Sequence, residues 1–160
     1  MLIREFQEGD ELSLWNVFYS AVHVTTAADY SPEQIELWAT TVNPDMAKWT
    51  NRMRGIRPFV AESDGEIVGY ADVQPNGYID HVFVSPTVAR RGVGSALMRR
   101  ILETARDRGM SVLTSNVSVT AQPFFYYWGF EIQSMNPACI CGITFRNFQM
   151  RKRIDSAREK

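Results

Sequence analysis

Two glycines two residues apart, Gly92 and Gly94, stand between an apolar run and an amphipathic helix, and no other arrangement constrains the chain as much. The run is Tyr78-Ile79-Asp80-His81-Val82-Phe83-Val84, which reads as a strand, and Ser85-Pro86 breaks it. From Val93 onward, Val93, Ala96, Leu97, Ile101 and Ala105 recur at three- and four-residue steps, while Arg99, Arg100, Glu103 and Asp107 take the other face. That spacing predicts a half-buried helix. Glycines let backbone N–H groups converge on a ligand, and a helix start adds unpaired donors and the positive end of the dipole. Strand, glycine turn and helix in this order predict a seat for a pyrophosphate. The backbone of Arg91, Gly92, Val93, Gly94 and Ser95 would form it, with charge from Arg90 and Arg91.

Spacing narrows the choice of ligand. A Walker A loop needs a lysine beside its glycines, and none is near. A dinucleotide fingerprint needs a third glycine where Leu97 stands, and an acid where the next strand ends in Thr114-Ser115-Asn116. A formal net charge of −1 removes the attraction on which nucleic-acid binding depends. The start Met1-Leu2-Ile3-Arg4-Glu5-Phe6 has no apolar signal region, and no run approaches the roughly 20 residues that span a bilayer, so neither membrane nor nucleic acid is an expected partner. The expected location is cytoplasmic. Cys139 and Cys141, with only His23 and His81 beside them, are too few for a zinc site and read as reduced thiols; no metal is expected.

A chain of 160 residues suits one domain, expected over 1–154, with a charged tail at 155–160. Leu2–Phe6 alternates as a first strand, and Asp10 is placed to cap a helix carrying Leu12, Trp15, Val17, Phe18, Ala21 and Val22. Ser31-Pro32-Glu33-Gln34 spells a capping box for a second helix through Ile35 and Trp38, and Pro44-Asp45 opens a third over Met46–Met53. Pro58–Glu62 and Glu66–Val73 flank the turn Ser63-Asp64-Gly65, a hairpin, and Asn76-Gly77 turns into the strand at Tyr78. The glycine-loop helix should end at Gly109, and Ser111–Val117 should lie parallel to the strand before that helix. A helix over Ala121–Trp128 follows, then strands at Phe130–Gln133 and Thr144–Arg151.

Val84-Ser85-Pro86 followed by Arg91-Gly92-Val93-Gly94-Ser95-Ala96-Leu97 resembles the phosphate loop of the GNAT superfamily of acetyl-CoA-dependent N-acetyltransferases, although Ala89 stands where the family has Gln or Arg. Asn116, Ala121 and Phe124-Phe125-Tyr126-Tyr127-Trp128-Gly129-Phe130 resemble the same family's later motif. The likeness covers Leu2 to Met150. It implies an α/β GNAT fold: a mixed, mostly antiparallel central sheet with helices on both faces.

The resemblance also implies acetyl-CoA as co-substrate, with no metal. Main-chain groups of Val82, Phe83 and Val84 would hold the pantetheine arm, as would the Asn116 amide, with Phe124 and Tyr127 as further coenzyme contacts. The reaction implied is transfer to a primary amine, on a small molecule or a peptide N-terminus, by direct attack in a ternary complex. The family's tyrosine acid falls at Phe125, which has no proton to give, so Tyr126 or a water would take the role, or the tyrosines only pack. For the base, alternation puts Asp80 on one face with Tyr78, Val82 and Val84, and the resemblance implies strand bases at the positions of Tyr78 and Asp80, so Asp80 is first choice, whereas His81 has the better intrinsic pKa but the wrong parity without a bulge. A non-catalytic acyl-CoA-binding module is the alternative, motivated by Phe125. An edge near Thr144–Met150 is expected to be open to pairing in a homodimer.

Overall fold

The computed structural model describes residues 1–155, so the tail expected at 155–160 lies, beyond Asp155, outside the described residues. In chain order the elements are β1 (Leu2–Glu5), α1 (Glu11–Ser20), a π-helical turn (Ala21–Thr25), α2 (Pro32–Trp38), α3 (Met46–Ile56), β2 (Phe59–Ser63), β3 (Glu66–Ala71), β4 (Tyr78–Ile79) and β5 (Val82–Val84). A 3₁₀ turn (Pro86–Val88) leads to α4 (Val93–Asp107), β6 (Val112–Ser118), α5 (Gln122–Tyr127), β7 (Glu131–Met135), β8 (Ala138–Ile140), β9 (Ile143–Phe145) and β10 (Asn147–Arg153). None of the described helices is long and apolar enough to cross a membrane. The chain divides into two compact units, Met1–Val73 with His81–Ile101, and Gln74–Asp80 with the chain from Leu102 onward.

The first unit is a four-stranded antiparallel sheet in the order β1-β2-β3-β5. Its hairpin turns at Asp64 and Gly65, both with positive φ (54° and 79°), which matches the twist of the flanking strands. Helices cover both faces. On one, α1 sets Phe18 against Phe83 with ring centroids 5.0 Å apart. On the other, Gly69 lies so close under Val93 and Leu97 of α4 that a Cβ there would meet Val93 at 3.0 Å.

Polar side chains fasten α1 at its start. Asp10 sits at the N-cap but makes no side-chain capping bond; its carboxylate instead takes the Arg4 guanidinium at 2.9 Å and the Gln7 N–H at 2.9 Å. Burial works against that carboxylate, yet the Arg4 and Gln7 bonds hold it below the usual range. Glu11, which is buried, accepts from Arg54 of α3 at 2.8 Å and from Gly9 N–H at 2.8 Å, while its own carbonyl accepts from the Trp49 indole at 2.8 Å. The Arg54 bond is the main reason its carboxyl is held low. At α2 the capping box is complete: Ser31 Oγ accepts from Gln34 N–H and Gln34 Oε1 from Ser31 N–H.

The second unit is a four-stranded sheet in the order β4-β6-β10-β7. β4 and β6 are parallel, as a strand–helix–strand crossover requires, and the other pairs are antiparallel. Its core holds Ile79, Leu113, Val117, Phe125, Phe130 and Met150. α4 ends on Gly109 (φ 68°): Met110 N–H bonds to Ala105 C=O and Gly109 N–H to Arg106 C=O, the paired bonds of a Schellman close. At Gly77 (φ 84°) a Cβ would fall on the Val112 carbonyl, so the Asn76-Gly77 turn admits no side chain at its second position.

Two expectations about strands are corrected. The run Tyr78–Val84 is not one strand: it breaks at Asp80 and His81 into β4, which pairs with β6, and β5, which pairs with β3. The expected strand Thr144–Arg151 is also two, because β9 folds back on β8 and β10 begins at Asn147. β10 lies between β6 and β7, so the segment expected to offer an open edge for a homodimer is already paired on both sides along Phe148–Arg151.

Candidate active site

The glycine loop takes the shape that its residues favour. Gly92 adopts φ 83°, and Arg90, exposed, is itself at φ 63°. The chain thereby turns sharply into α4, whose first bond is Ala96 N–H to Gly92 C=O. Arg91 N–H is used by Val88 C=O, but the N–H groups of Gly92, Val93, Gly94 and Ser95 have no backbone acceptor among the described residues. They are the orphan donors of a 15-residue helix, gathered where its positive end lies, with Arg91 also exposed beside them. Such a row can take an anionic group such as a phosphate.

β5 supplies a second set of unused groups. Asp72 N–H bonds to His81 C=O and Ser85 N–H to Val68 C=O, so the odd-numbered residues His81, Phe83 and Ser85 face β3. In an antiparallel ladder the alternate residues then turn their N–H and C=O outward. Those residues are Val82 and Val84, because β5 is the edge of its sheet. Phe83, expected to share that contact, spends its main-chain groups on Tyr70. In the second unit, Asn116 of β6 carries a buried Oδ1 that no donor among the described residues meets. A buried carbonyl left in this state costs about 1–3 kcal/mol.

The break at Asp80–His81 resets the alternation on which the choice of base rested. His81 and Phe83 project toward α1 and α3, where the His81 ring lies 6.1 Å from Phe18, 6.0 Å from Trp49 and 5.6 Å from Phe83. Its Nδ1 is 3.0 Å from the hydroxyl of Tyr70, which is wholly buried, and its backbone N–H donates to Asp72 Oδ1 at 2.7 Å. Asp80 falls in the second unit, half-buried at the end of β4. No local pattern points to Tyr70 as a partner: it sits in an apolar strand run, and only the pairing of β3 with β5 brings it to His81.

On α5, Phe125 is 3% exposed and packs edge-on against Phe130, whereas Tyr126 and Tyr127 are 68% and 79% exposed. Phe124 is half-buried, its ring 5.8 Å from that of Phe125. The structure thus gathers Val82, Phe83, Val84 and Arg90 through Ser95 in the first unit, and Asp80, Asn116, Phe124, Tyr126 and Tyr127 in the second. A separate polar cavity of about 530 Å³, lined by Arg4, Asp10, Ser13, Asn16 and Glu62 among others, contains none of these residues. Its Arg4 is already paired with Asp10 and Glu62. Among the described residues, no group of three or more His, Cys, Asp or Glu side chains could hold a metal ion.

Residues 26–153 match the acetyltransferase (GNAT) domain family. The chain is 36% identical over 149 residues to the uncharacterized N-acetyltransferase YafP of Escherichia coli (strain K12), across 93% of each chain. It superimposes with a TM-score of 0.89 on the crystal structure of a GCN5-related N-acetyltransferase (Aminotransferase, Class-II) from Rhodopseudomonas palustris, at 31% identity over 95% of this chain and 94% of that one. The PaiA N-acetyltransferase of Thermoplasma acidophilum, solved in complex with coenzyme A, shares the fold at a TM-score of 0.74 and 19% identity, over 95% and 98% of the two chains.

Proposed function

The chain belongs to the acetyltransferase (GNAT) family, and from that premise we propose that it moves an acetyl group from acetyl-CoA to a primary amine by direct attack in a ternary complex. The carrying observation is the row of unpaired N–H groups from Gly92 to Ser95 at the start of α4. They match the pyrophosphate of coenzyme A in charge and in hydrogen-bonding sense. The outward groups of Val82 and Val84 suit the amides of the pantetheine arm, as one more strand would. Asn116 and, on the helix that follows β6, Phe124 and Tyr127 are further candidate coenzyme contacts by their places in the family motif. The fold neighbour PaiA, solved with coenzyme A, accords with this donor.

When bound, acetyl-CoA supplies an activated thioester carbonyl. The protein has to deliver a neutral amine to it. A base removes one proton from the arriving ammonium; the nitrogen lone pair then forms the C–N bond, the nitrogen gives up a second proton as the C–S bond breaks, and the sulfur leaves as thiolate and takes up a proton. Asp80 is the first candidate base by family position. His81 becomes a second because the strand break turns it toward the aromatic wall. Tyr126 and water are the candidate acids, and a thiol with an ordinary pKa of about 8.5 leaves acceptably without one. Acceptors of this kind are small-molecule amines or peptide N-termini, and the exposed thiols of Cys139 and Cys141 suit a reducing cytoplasm.

The buried Phe125 favours one other reading, a module that binds acyl-CoA without turning it over. Thermal unfolding with acetyl-CoA, ATP and NAD in parallel, followed by a thiol-release assay over an amine panel, separates the readings. A shift with acetyl-CoA alone and thiol release with an amine supports the transferase. A shift without release for any amine supports the module, and no shift with acetyl-CoA refutes both.

A further inference from the structure

His81 is fixed at three points. Its C=O accepts from Asp72 N–H at 3.1 Å and its N–H donates to Asp72 Oδ1 at 2.7 Å, so one residue that is 1% exposed holds the backbone on both sides. The ring is held separately. Phe18, Trp49, Phe83 and Tyr70 surround it with centroids 5.6 to 6.1 Å away, and the Tyr70 hydroxyl lies 3.0 Å from Nδ1. Phe18 and Phe83 pack in this wall by rings alone, whereas a wholly buried hydroxyl adds nothing to packing and costs desolvation unless it is bonded. Its bond goes to the imidazole. His81 also stands directly before Val82, whose outward main-chain groups suit the pantetheine arm.

In a neutral imidazole, the bond made by one nitrogen decides which of the two carries the proton. If the Tyr70 hydroxyl donates to Nδ1, the proton sits on Nε2 and that nitrogen is no base. If Nδ1–H donates to the hydroxyl oxygen, Nε2 keeps its lone pair, and the same bond persists unchanged in the imidazolium. We propose that Tyr70 is a positioning residue: its oxygen accepts from His81 Nδ1–H and so presents the Nε2 lone pair to the arriving ammonium. An N–H bond of the ammonium breaks, its electron pair stays on nitrogen to attack the thioester, and the proton resides on Nε2 until solvent removes it. Tyr70 itself neither gains nor loses a proton. This rests on the acetyltransferase reading and decides between its two candidate bases in favour of His81.

Two acids adjoin His81, Asp72 through the backbone bond and Asp80 through the chain. Glu11 of α1 is bound to Arg54 of α3, and Glu36 of α2 to Thr40 and Thr41. Tyr70→Phe leaves all of them in place and removes one oxygen, so a displaced pH profile reports the hydroxyl. Thiol release from acetyl-CoA is assayed with spermidine, 2-phenylethylamine and a short peptide with a free N-terminus, and the best of the three serves for the variants. Tyr70→Phe should lower kcat about tenfold or more with acetyl-CoA affinity, read by calorimetry, unchanged. The acidic limb of kcat/KM should move down by about half a pH unit or more, because the imidazolium loses the acceptor of its Nδ1–H. In a His81→Gln background the same change should alter kcat by less than about twofold, whereas a packing defect would persist there. Heteronuclear NMR of the wild-type imidazole nitrogens needs no variant: above the acidic limb, His81 should carry its proton on Nδ1. A proton on Nε2, an unaltered rate in Tyr70→Phe, an equal loss in both backgrounds, or an acidic limb that survives His81→Gln and vanishes in Asp80→Asn overturns the proposal while the acetyltransferase reading stands. Failure of acetyl-CoA to bind, or thiol release with none of the amines, removes both.

Discussion

Asn116→Val tests the coenzyme site through stability and affinity at once, and the two should move in opposite directions. Asn116 sits on β6 opposite Gln149 of β10, with Oδ1 buried and unmet among the described residues. Leaving such an acceptor unsatisfied costs about 1–3 kcal/mol, and because only one atom of the side chain is so placed the low end applies, about 1 kcal/mol. Valine is a good strand residue and carries no polar atom to desolvate. The ligand-free variant should therefore melt about 2–4 °C higher than the wild type, the usual response to about 1 kcal/mol in a domain of this size. Acetyl-CoA loses one hydrogen bond worth about 1 kcal/mol, so its Kd should rise about fivefold. Differential scanning calorimetry without ligand and titration calorimetry with it give both numbers. A lower Tm would mean that the side chain has a structural duty, and a raised Tm with unchanged Kd would mean that the orphan oxygen does not face the coenzyme.

Four further outcomes are expected. Glu11→Ala, which strips Arg54 and Gly9 N–H of their acceptor, should cost about 2–3 kcal/mol and lower Tm by about 5–10 °C in thermal unfolding. Because the Glu11 carboxyl is held below its usual range in the folded state, its contribution is complete above the unfolded value near pH 4 and fades as pH falls through the folded one. Glu11→Gln should accordingly flatten the fall of Tm between about pH 5 and pH 3, and an unchanged slope would remove Glu11 from the account. Gly77→Ala, with positive φ and a Cβ driven onto the Val112 carbonyl, should lower Tm or abolish soluble expression, whereas Gly65→Ala, which meets nothing within 4 Å, should cost only the strain of its own backbone. Asp80→Asn and His81→Gln, compared by the pH profile of kcat/KM, identify the base: the variant that loses about 10²–10⁴-fold and its acidic limb, with acetyl-CoA affinity retained, held that role.

The parts of the fold that depend on neighbours in sequence were legible beforehand. Ser31 and Gln34 spell their own capping box, Asp64-Gly65 its hairpin, and Gly92-Val93-Gly94 its turn into α4, because each needs only local backbone chemistry. The break in Tyr78–Val84 could not be seen that way. Seven residues of strand character read as one strand, yet the first two pair with β6 and the last three with β3. The same holds for β10, whose place inside its sheet depends on a partner, β7, that no local pattern names. Tyr70 as the companion of His81, and the outward turn of Val82 and Val84 but not Phe83, follow from register alone. The likeness of the two motifs to a family carried the coenzyme reading further than the residues by themselves allowed.

An open strand edge ordinarily invites another copy of the same chain. β5 is guarded against this by its shortness, since it is three residues long, ends at Ser85-Pro86 and begins at the Asp80–His81 break. Only Val82 and Val84 turn outward, few groups with which to template a strand of the usual five or six residues. One sheet of the protein thus keeps an edge that is open yet too short to become a seed for aggregation.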